Sequence, residues 1–258
     1  MSHVSLRDVE ISYPHHDSSR AQVAVERVDL EVQKSEFLAI LGPSGCGKST
    51  LLQAIDGLLK PTRGEVLVNE RPVTGPGTDR AIVFQEFALL PWRNVVDNVA
   101  FGLELNPQHG IDPKSRAREL VELVGLSGFE DYHPHQLSGG MRQRVGIARA
   151  LAVNPEVLLM DEPFGALDAQ TRELMGVELL NIWGLERQTV FFVTHSVDEA
   201  VYLADRVVVL SKGPAVVMET VDIDLPRPRA GGIRASAEYA EYRERLSALL
   251  FADAPAGV

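Results

Sequence analysis

Cysteine is almost absent from this sequence of 258 residues: Cys46 stands alone, so no intrachain disulfide can form. A lone thiol is consistent with a reducing compartment such as the cytosol. The sequence also lacks any run approaching 18 apolar residues, and it therefore predicts no membrane-spanning helix. Residues 1–7 have no apolar region of the kind that a signal peptide carries, so we expect no export signal.

Basic residues are outnumbered: 25 Lys and Arg stand against 36 Asp and Glu, which gives a net charge of −11. Surfaces that bind nucleic acid nonspecifically are normally basic, so this charge argues against a nucleic-acid partner. The hydrophobic share of 45% and the charged share of 24% are ordinary for a globular protein. At this length we expect one large domain, or a core with a smaller lobe.

A phosphate-binding loop is present at residues 42–49, which read Gly-Pro-Ser-Gly-Cys-Gly-Lys-Ser and match G-x-x-x-x-G-K-[ST]. The loop follows the apolar run 37–41 and precedes the helix-like residues 50–55, which is the strand–loop–helix context that the motif requires. Its glycines allow the backbone to approach an anion, and the helix start adds a positive dipole end. We expect Lys48 to reach the β- and γ-phosphates and the Ser49 hydroxyl to bind Mg²⁺. The sequence therefore predicts a nucleoside triphosphate site.

A second phosphate-suited helix start follows at residues 137–144, Leu-Ser-Gly-Gly-Met-Arg-Gln-Arg. Ser138 is a good N-cap, while Gly139 and Gly140 allow close approach of the backbone. One small domain rarely needs two such sites for one nucleotide. We therefore expect the second site to serve the nucleotide of a second copy, in a head-to-tail homodimer.

Hydrophobic patterning predicts an α/β domain. Residues 4–13 and 25–32 alternate in the manner of an antiparallel pair, and continuous apolar runs indicate buried parallel strands. Those runs are residues 37–41, 81–84, 157–160, 190–193 and 207–210. Ligands of such a sheet bind at the carboxyl ends of its strands. Four candidate site residues fall just past such strand ends: Lys48, Gln85, Asp161 and His195.

Strand signals stop between Gln85 and Pro155, where residues 114–125 and 138–153 are predicted helices of an inserted lobe. Residues 222–232 are interpreted as a linker. Residues 236–251 carry apolar side chains at helical spacing, and we expect this terminal helix either to pack on the core or to form an oligomer contact.

Together these motifs resemble those of ATP-binding cassette (ABC) ATPases over residues 4–225. The matching elements are the Walker A loop (42–49), the Q-loop (Gln85), the signature sequence (137–143), the Walker B strand and its glutamate (157–163), the D-loop (165–168), the switch histidine (His195) and the A-loop aromatic (Tyr13). Gly165 departs from the family pattern, in which serine is common.

The resemblance implies a P-loop NTPase (RecA-like) core with a small antiparallel β-subdomain and an inserted α-helical signature subdomain. The core would comprise residues 1–85 and 156–221, the insert residues 86–155, and the linker and helical tail residues 226–258.

The resemblance also implies roles for individual residues. Glu162 would act as the general base, His195 would contact the γ-phosphate and water, and Gln85 would sense nucleotide state. The expected Mg²⁺ ligands are Ser49, Gln85 and Asp161. The expected ATP contacts are Tyr13, Gly42, Pro43, Ser44, Gly45, Cys46, Gly47, Lys48, Ser49, Thr50, Ser138, Gly139, Gly140 and Asp168. Structural readings stay open: an exposed carboxylate pair at 161–162, a structural histidine at 195, and a filler role rather than a redox role for Cys46.

The segment after Gln85 is unusually apolar. Leu89, Leu90 and Trp92 either face the core or form a docking surface. In the resembling importers this region receives a short helix of the membrane-spanning subunit.

Residues 75–99 resemble the nitrate/sulfonate/taurine importer subfamily. This implies an ATP-hydrolysing importer subunit at the cytoplasmic face of the membrane, peripheral to polytopic permease subunits and served indirectly by a periplasmic or extracellular solute-binding protein. Taurine or another aliphatic sulfonate is the closest match for the solute, while nitrate or a pyrimidine precursor stays open. A soluble ABC ATPase is the other alternative, although no coiled-coil, zinc-binding or basic insertion is visible. A P-loop kinase would not explain Ser138, Gly139, Gly140 or His195.

Overall fold

The structure, a computed structural model, describes residues 2–14, 22–86, 88–106, 111–229 and 231–252. Internal contacts divide the chain into two compact units, Met1–Gly77 with Thr189–Val258, and Thr78–Gln188. The second unit is wider than the predicted insert of residues 86–155, because the strands and the helix that flank the insert belong with it. The first unit includes the C-terminal tail.

The first unit contains two groups of strands and three helices among its described residues. Its elements are β1 (Val4–Tyr13), β2 (Gln22–Val32), β3 (Phe37–Leu41), α1 (Lys48–Asp56), β4 (Arg63–Val68), β5 (Arg71–Pro72), β8 (Thr189–Thr194), α6 (Val197–Leu203), β9 (Arg206–Leu210), β10 (Val217–Asp222) and α7 (Ala237–Ala252), with a 3-10 helix at Gly231–Ala235. The second unit contains β6 (Arg80–Val83), α2 (Val95–Leu105), α3 (Pro113–Leu123), α4 (Gly139–Ala152), β7 (Val157–Asp161) and α5 (Ala169–Glu186), with a 3-10 helix at Pro134–Gln136.

An antiparallel sheet in the first unit has the strand order β2-β1-β4-β5. Val4 of β1 lies opposite Val32 on one side and Val68 on the other, so β1 is an inner strand of this sheet. The predicted pairing of residues 4–13 with 25–32 is confirmed. Strands β4 and β5 were not predicted.

The parallel strands of the first unit run in the order β9-β3-β8, and β10 adds an antiparallel edge beside β9. Every residue of β3 and of β8 is buried, as continuous apolar runs predict for strands covered on both faces. Strand β10 was missed because its residues alternate weakly between half-buried and exposed.

The segment after β10 differs from the predicted linker. Ile223, Leu225 and Arg229 are buried, with 4%, 7% and 6% of their surface exposed. The segment therefore packs on the first unit rather than connecting two bodies loosely. Its proline and glycine content had indicated only irregular backbone, which is also what the structure shows over residues 223–229.

Helix boundaries in the second unit follow capping residues. Asn94 accepts a hydrogen bond from the Asp97 amide (2.8 Å) to begin α2, and Asp112 accepts one from the Ser115 amide (2.8 Å) to begin α3. Gly125, at φ +67°, follows the end of α3. The predicted helices at 114–125 and 138–153 are confirmed as α3 and α4, whereas α2 was not predicted.

Helix α5 is the longest helix that the structure describes, at 18 residues. It ends at Arg187, which adopts a left-handed conformation at φ 55°, and the indole of Trp183 then donates to the carbonyl of Gln188 (2.8 Å). In the described part of the chain, no helix has both the length and the apolar character that crossing a bilayer demands.

Candidate functional site

The phosphate-binding loop of the first unit passes directly into α1. Gly47 caps this helix at φ +115°, and Gly45 lies at φ +75°. A Cβ atom at Gly47 would lie 2.6 Å from the carbonyl oxygen of Ala24, so a side chain does not fit there. Glycines in this conformation turn successive backbone amides toward one side, which forms an anion-binding concavity at the helix start. The loop therefore has the geometry of a phosphate cradle.

Lys48 is buried, with 4% of its surface exposed, although it carries a charge. Its Nζ atom donates to the carbonyl oxygens of Gly42 (2.9 Å) and Pro43 (2.8 Å), both in the same loop. These bonds hold the ammonium across the loop, where phosphate oxygens would be stronger acceptors than carbonyls. The arrangement fits the triphosphate that the motif predicts.

Tyr13 ends β1, and 38% of its surface is exposed. Its hydroxyl lies 3.3 Å from Oγ1 of Thr50, in the first turn of α1. The ring is thus anchored beside the phosphate loop while part of it faces solvent, as stacking on a base requires.

Cys46 is 2% exposed, and a Cβ atom at Gly42 would lie 2.9 Å from its Sγ atom. The thiol therefore fills the space under the loop, an environment typical of an inert cysteine rather than an exposed reactive one.

His195 follows β8 and is exposed. The turn around it is held by hydrogen bonds: Thr194 Oγ1 donates to Glu199 Oε2 (2.5 Å), and the Ser196 amide donates to Thr194 Oγ1 (3.0 Å). Ser196 in turn accepts a bond from the Glu199 amide (3.4 Å) and caps α6. A strand end and a capped helix therefore fix the backbone on both sides of the histidine.

In the second unit, Asp161 is the last residue of β7 and Glu162 follows it, and both are half-buried. Glu162 adopts φ +42°, in the left-handed region, and its carbonyl accepts a hydrogen bond from the Gly165 amide (3.0 Å). A non-glycine residue in this region costs on the order of 1 kcal/mol. The sequence offered no signal for this strain.

Gln85 lies beside the turn that follows Glu162. A Cβ atom at Gly165 would lie 3.5 Å from Nε2 of Gln85 and 3.3 Å from the Glu162 carbonyl oxygen. The second unit therefore brings Gln85 close to the turn of residues 162–165. Gly165 leaves room for both neighbours.

The helix start at Ser138 lies next to the D-loop within the same unit. Ser138 is exposed and accepts a hydrogen bond from the Met141 amide (3.3 Å). A Cβ atom at Gly139 would lie 3.5 Å from Leu167 Cδ2, and one at Gly140 would lie 3.0 Å from Thr171 Cγ2. Glycine at these positions thus permits close packing of α4 against the start of α5.

Asp168 caps α5. Its two carboxylate oxygens accept from the Thr171 hydroxyl (2.6 Å) and the Thr171 amide (3.0 Å). Both bonds hold the pKa of Asp168 below its ordinary value, and the bond from the hydroxyl has the larger effect. The D-loop aspartate therefore has a structural role within its own unit.

The sequence profile of the ABC transporter family matches residues 25–165. The chain belongs to this family. It is 49% identical to the taurine import ATP-binding protein of Rhizobium johnstonii, over 88% of this chain and 88% of that protein. It is 50% identical to the nitrate import ATP-binding protein of Synechococcus elongatus, over 80% of this chain and 77% of that protein.

Solved structures agree with this assignment. The dimeric post-hydrolysis state of an ATP-binding cassette bound to ADP and Pi superposes with a TM-score of 0.76 at 33% identity, covering 86% of this chain and 100% of that one. The predicted P-loop NTPase fold is confirmed, and the chain is an ATPase of the ABC transporter family.

Asn98 is a residue of this ABC ATPase that the motifs did not identify. It is fully buried in α2, and its amide group donates to the carbonyls of Leu90 (3.1 Å), Arg93 (3.0 Å) and Asn94 (2.9 Å), while its Oδ1 accepts from the Leu90 amide (2.8 Å). One side chain thus fixes the loop after Gln85. The sequence could have indicated this role only through the polar side chain of Asn98 within the largely apolar stretch 95–100.

The loop that Asn98 holds exposes Trp92, 71% of whose surface faces solvent. Leu89 and Leu90 are half-buried beside it in the chain. The core-facing interpretation of Trp92 is therefore wrong, because an indole in the core would not leave most of its surface in water.

Mg²⁺ binds oxygen atoms and keeps several of its waters, so it needs few ligands from the protein. Gln85 and Asp161 of the second unit carry an amide and a carboxylate oxygen, and Ser49 of the first unit carries a hydroxyl, each an oxygen donor of the kind that Mg²⁺ prefers. The described residues contain no cluster of three or more His, Cys, Asp or Glu side chains, such as a transition metal prefers.

Proposed function

We propose that this ABC ATPase is the ATP-hydrolysing subunit of an importer that takes up a small anionic solute, namely taurine or another aliphatic sulfonate. The observation that carries the importer assignment is the exposed Trp92 on a loop fixed by Asn98, directly after Gln85. An apolar side chain held rigidly in solvent is typical of a docking surface. The taurine-import relative supports the solute, and the nitrate-import relative favours nitrate as the second candidate.

We assign hydrolysis to the residues described above. Tyr13 would stack on adenine. Residues 42–50, which include Lys48, would hold the triphosphate. Mg²⁺, with Ser49, Gln85 and Asp161 as its ligands, would neutralise charge on the β- and γ-phosphates. Glu162 would accept a proton from the attacking water as that water attacks the γ-phosphorus and ADP leaves. His195 would donate a hydrogen bond to the γ-phosphate.

We assign Ser138, Gly139 and Gly140 to the nucleotide of a second copy, in a head-to-tail dimer that forms with ATP. Ser138 is exposed at the start of a helix of 14 residues, so its hydroxyl and the neighbouring amides are accessible to a phosphate. By symmetry the dimer would hold two nucleotides, each between the phosphate loop of one copy and residues 138–140 of the other.

Replacement of Ser138 by arginine tests the dimer. In a Glu162→Gln background, which retains ATP, the protein should dimerise when ATP is added, and the additional change Ser138→Arg should abolish this because a bulky cation replaces the small cap. Light scattering coupled to size exclusion measures the mass. Ser115→Arg, at an exposed position in the first turn of α3, is the matched control and should dimerise normally. Equal dimerisation of the Ser138 variant, or a dimer that ignores ATP, would contradict the assignment.

The partner in the membrane is a polytopic permease in this proposal, with the ATPase peripheral at its cytoplasmic face and a periplasmic or extracellular binding protein acting through the permease. Leu89, Leu90 and Trp92 would receive a short helix of the permease. No nucleic-acid partner is proposed, since the net charge is −11.

The variant Trp92→Ala tests the docking surface in cells. A strain that lacks the chain should lose taurine uptake, and Trp92→Ala should fail to restore it, because an aromatic residue at the centre of an interface contributes about 2 kcal/mol or more. Leu105→Ala is the matched control: it is equally exposed at 71%, and it lies at the other end of α2. ATPase activity of the isolated subunit should change little in either variant.

Three results would contradict this account. Restored uptake with Trp92→Ala would exclude the docking role, and unfolding of the isolated variant would make Trp92 a structural residue. Loss of nitrate uptake instead of taurine uptake in the deletion strain would favour the nitrate alternative.

A further inference from the structure

Helix α6, which begins two residues after His195, is held at both ends by the C-terminal part of the chain. It has only seven residues, and an isolated helix of this length is not stable in water. We call Arg227, Arg229, Tyr239 and Arg243 the C-terminal brace, because each contacts α6 or the residues that directly follow it.

At the N-terminal end of α6, Tyr239 donates from its hydroxyl to the carbonyl oxygen of Asp198 (3.0 Å). Tyr239 is 2% exposed, and burial raises its pKa to about 12, so the hydroxyl keeps its proton. Arg243 pairs with the Asp198 carboxylate at 3.9 Å, an exposed contact that adds little. Tyr239 is thus the principal contact at this end.

At the C-terminal end, the buried guanidinium of Arg229 donates to the carbonyl oxygens of Val201 (2.9 Å), Tyr202 (2.7 Å) and Ala204 (2.6 Å). A helix leaves its last carbonyls without partners, and a cation placed there satisfies them. Burial lowers the pKa of Arg229 to about 10, so the group stays charged at neutral pH. Arg227 adds a bond to the Leu203 carbonyl (2.7 Å).

These contacts constrain the backbone that carries His195. On one side of it lies β8, which is entirely buried, and on the other lies α6, clamped between Tyr239 and Arg229. Positioning of a catalytic group depends on such support, since a small displacement from the reacting atoms lowers the rate strongly. The tail therefore contacts the element that orients the histidine.

We propose that the C-terminal brace positions His195 for ATP hydrolysis, with Tyr239 as its central positioning residue. This inference rests on the role of His195 in the proposed function. Tyr239 and Arg229 contact α6 and the residue that follows it, whereas the phosphate loop is held by Lys48 and leads into α1. Its loss should therefore lower turnover and leave ATP affinity unchanged.

The test is Tyr239→Phe in the full-length protein, which removes one hydroxyl and keeps the ring in place. We expect kcat to fall about fivefold, the effect of one hydrogen bond of average strength, with KM for ATP unchanged. Amide hydrogen exchange of residues 197–201 should become faster. The matched control is Tyr242→Phe on the same helix, since its hydroxyl accepts a bond from the Asp224 amide (3.1 Å) and does not serve α6.

The readouts separate positioning from simple stability. If Tyr239→Phe and Tyr242→Phe behave alike in kcat and in exchange, or if exchange rises while kcat is unaffected, the brace does not position His195. An equal rise in KM for ATP would also overturn the proposal, because it would place the effect at binding. His195→Ala is measured in parallel: unchanged turnover there would refute the proposed role of the histidine itself, and the inference with it.

Discussion

Glu162→Gln is expected to lower ATP turnover by about 10²–10⁴ while ATP affinity stays near that of the original protein. The amide has nearly the same shape as the carboxylate and cannot accept the proton of the attacking water. Glu162 directly follows the buried strand β7, and its backbone adopts the left-handed conformation, φ +42°. Eight other described non-glycine residues also have a positive φ, so the position of Glu162 at the end of β7, rather than its backbone strain, carries this assignment.

Phosphate release and nucleotide binding are the two measurements that check this prediction. The matched control is Glu122→Gln, the same change at an exposed position of α3 in the same unit, which should leave both quantities unaltered. Turnover of the Glu162 variant within about threefold of the original protein would refute its role as the base. A comparable loss in the Glu122 variant would mean that charge alone, rather than position, controls the rate.

Gly47→Ala is expected to reduce ATP affinity by about 100-fold or more, a loss of roughly 2.7 kcal/mol in binding. The new methyl group would lie 2.6 Å from the Ala24 carbonyl oxygen and 3.1 Å from the Ala215 side chain, at a backbone φ of +115°. Alanine cannot adopt this conformation without strain, so the loop must move and the amides of the phosphate cradle move with it. Calorimetric titration with ATP measures the effect.

A strained glycine elsewhere in the first unit separates loop geometry from general destabilisation. Gly64, at φ +76°, would place a methyl group 2.2 Å from the Asp8 carbonyl in the antiparallel sheet. Gly64→Ala should lower the unfolding temperature and leave the ATP affinity of the folded protein intact. Gly47→Ala should instead lose about 100-fold in ATP affinity even under conditions in which the variant is fully folded. ATP affinity equal to that of the original protein in the Gly47 variant would contradict the cradle.

Much of the fold could be predicted from local signals. Five apolar runs indicated the parallel strands because strands covered on both faces need apolar residues at every position, and all five correspond to strands. Ser138, before two glycines, indicated the start of α4 because a hydroxyl at that position accepts a backbone bond. Strands β4, β5 and β10 escaped prediction because most of their residues are exposed or half-buried, so none of them carries a continuous apolar run.

Residue identity and spacing alone determined that this chain carries the motifs of an ABC ATPase: the loop 42–49, the signature 137–143 and the pair Asp161 and Glu162 depend only on short stretches of chain. The tertiary structure decided the burial, the backbone conformation and the contacts of individual residues, which short stretches of sequence do not specify. It placed Asn98 under the Trp92 loop, left the indole in solvent, twisted Glu162 into the left-handed region and turned the predicted linker into a support for α6. The support for α6 depends on contacts between residues 25 to 28 positions apart, and the exposure of Trp92 depends on which face of the loop water reaches. Asn98 and Glu162 contact residues close in sequence, but the path of the backbone decides which atoms they reach. None of these quantities can be read from a local pattern.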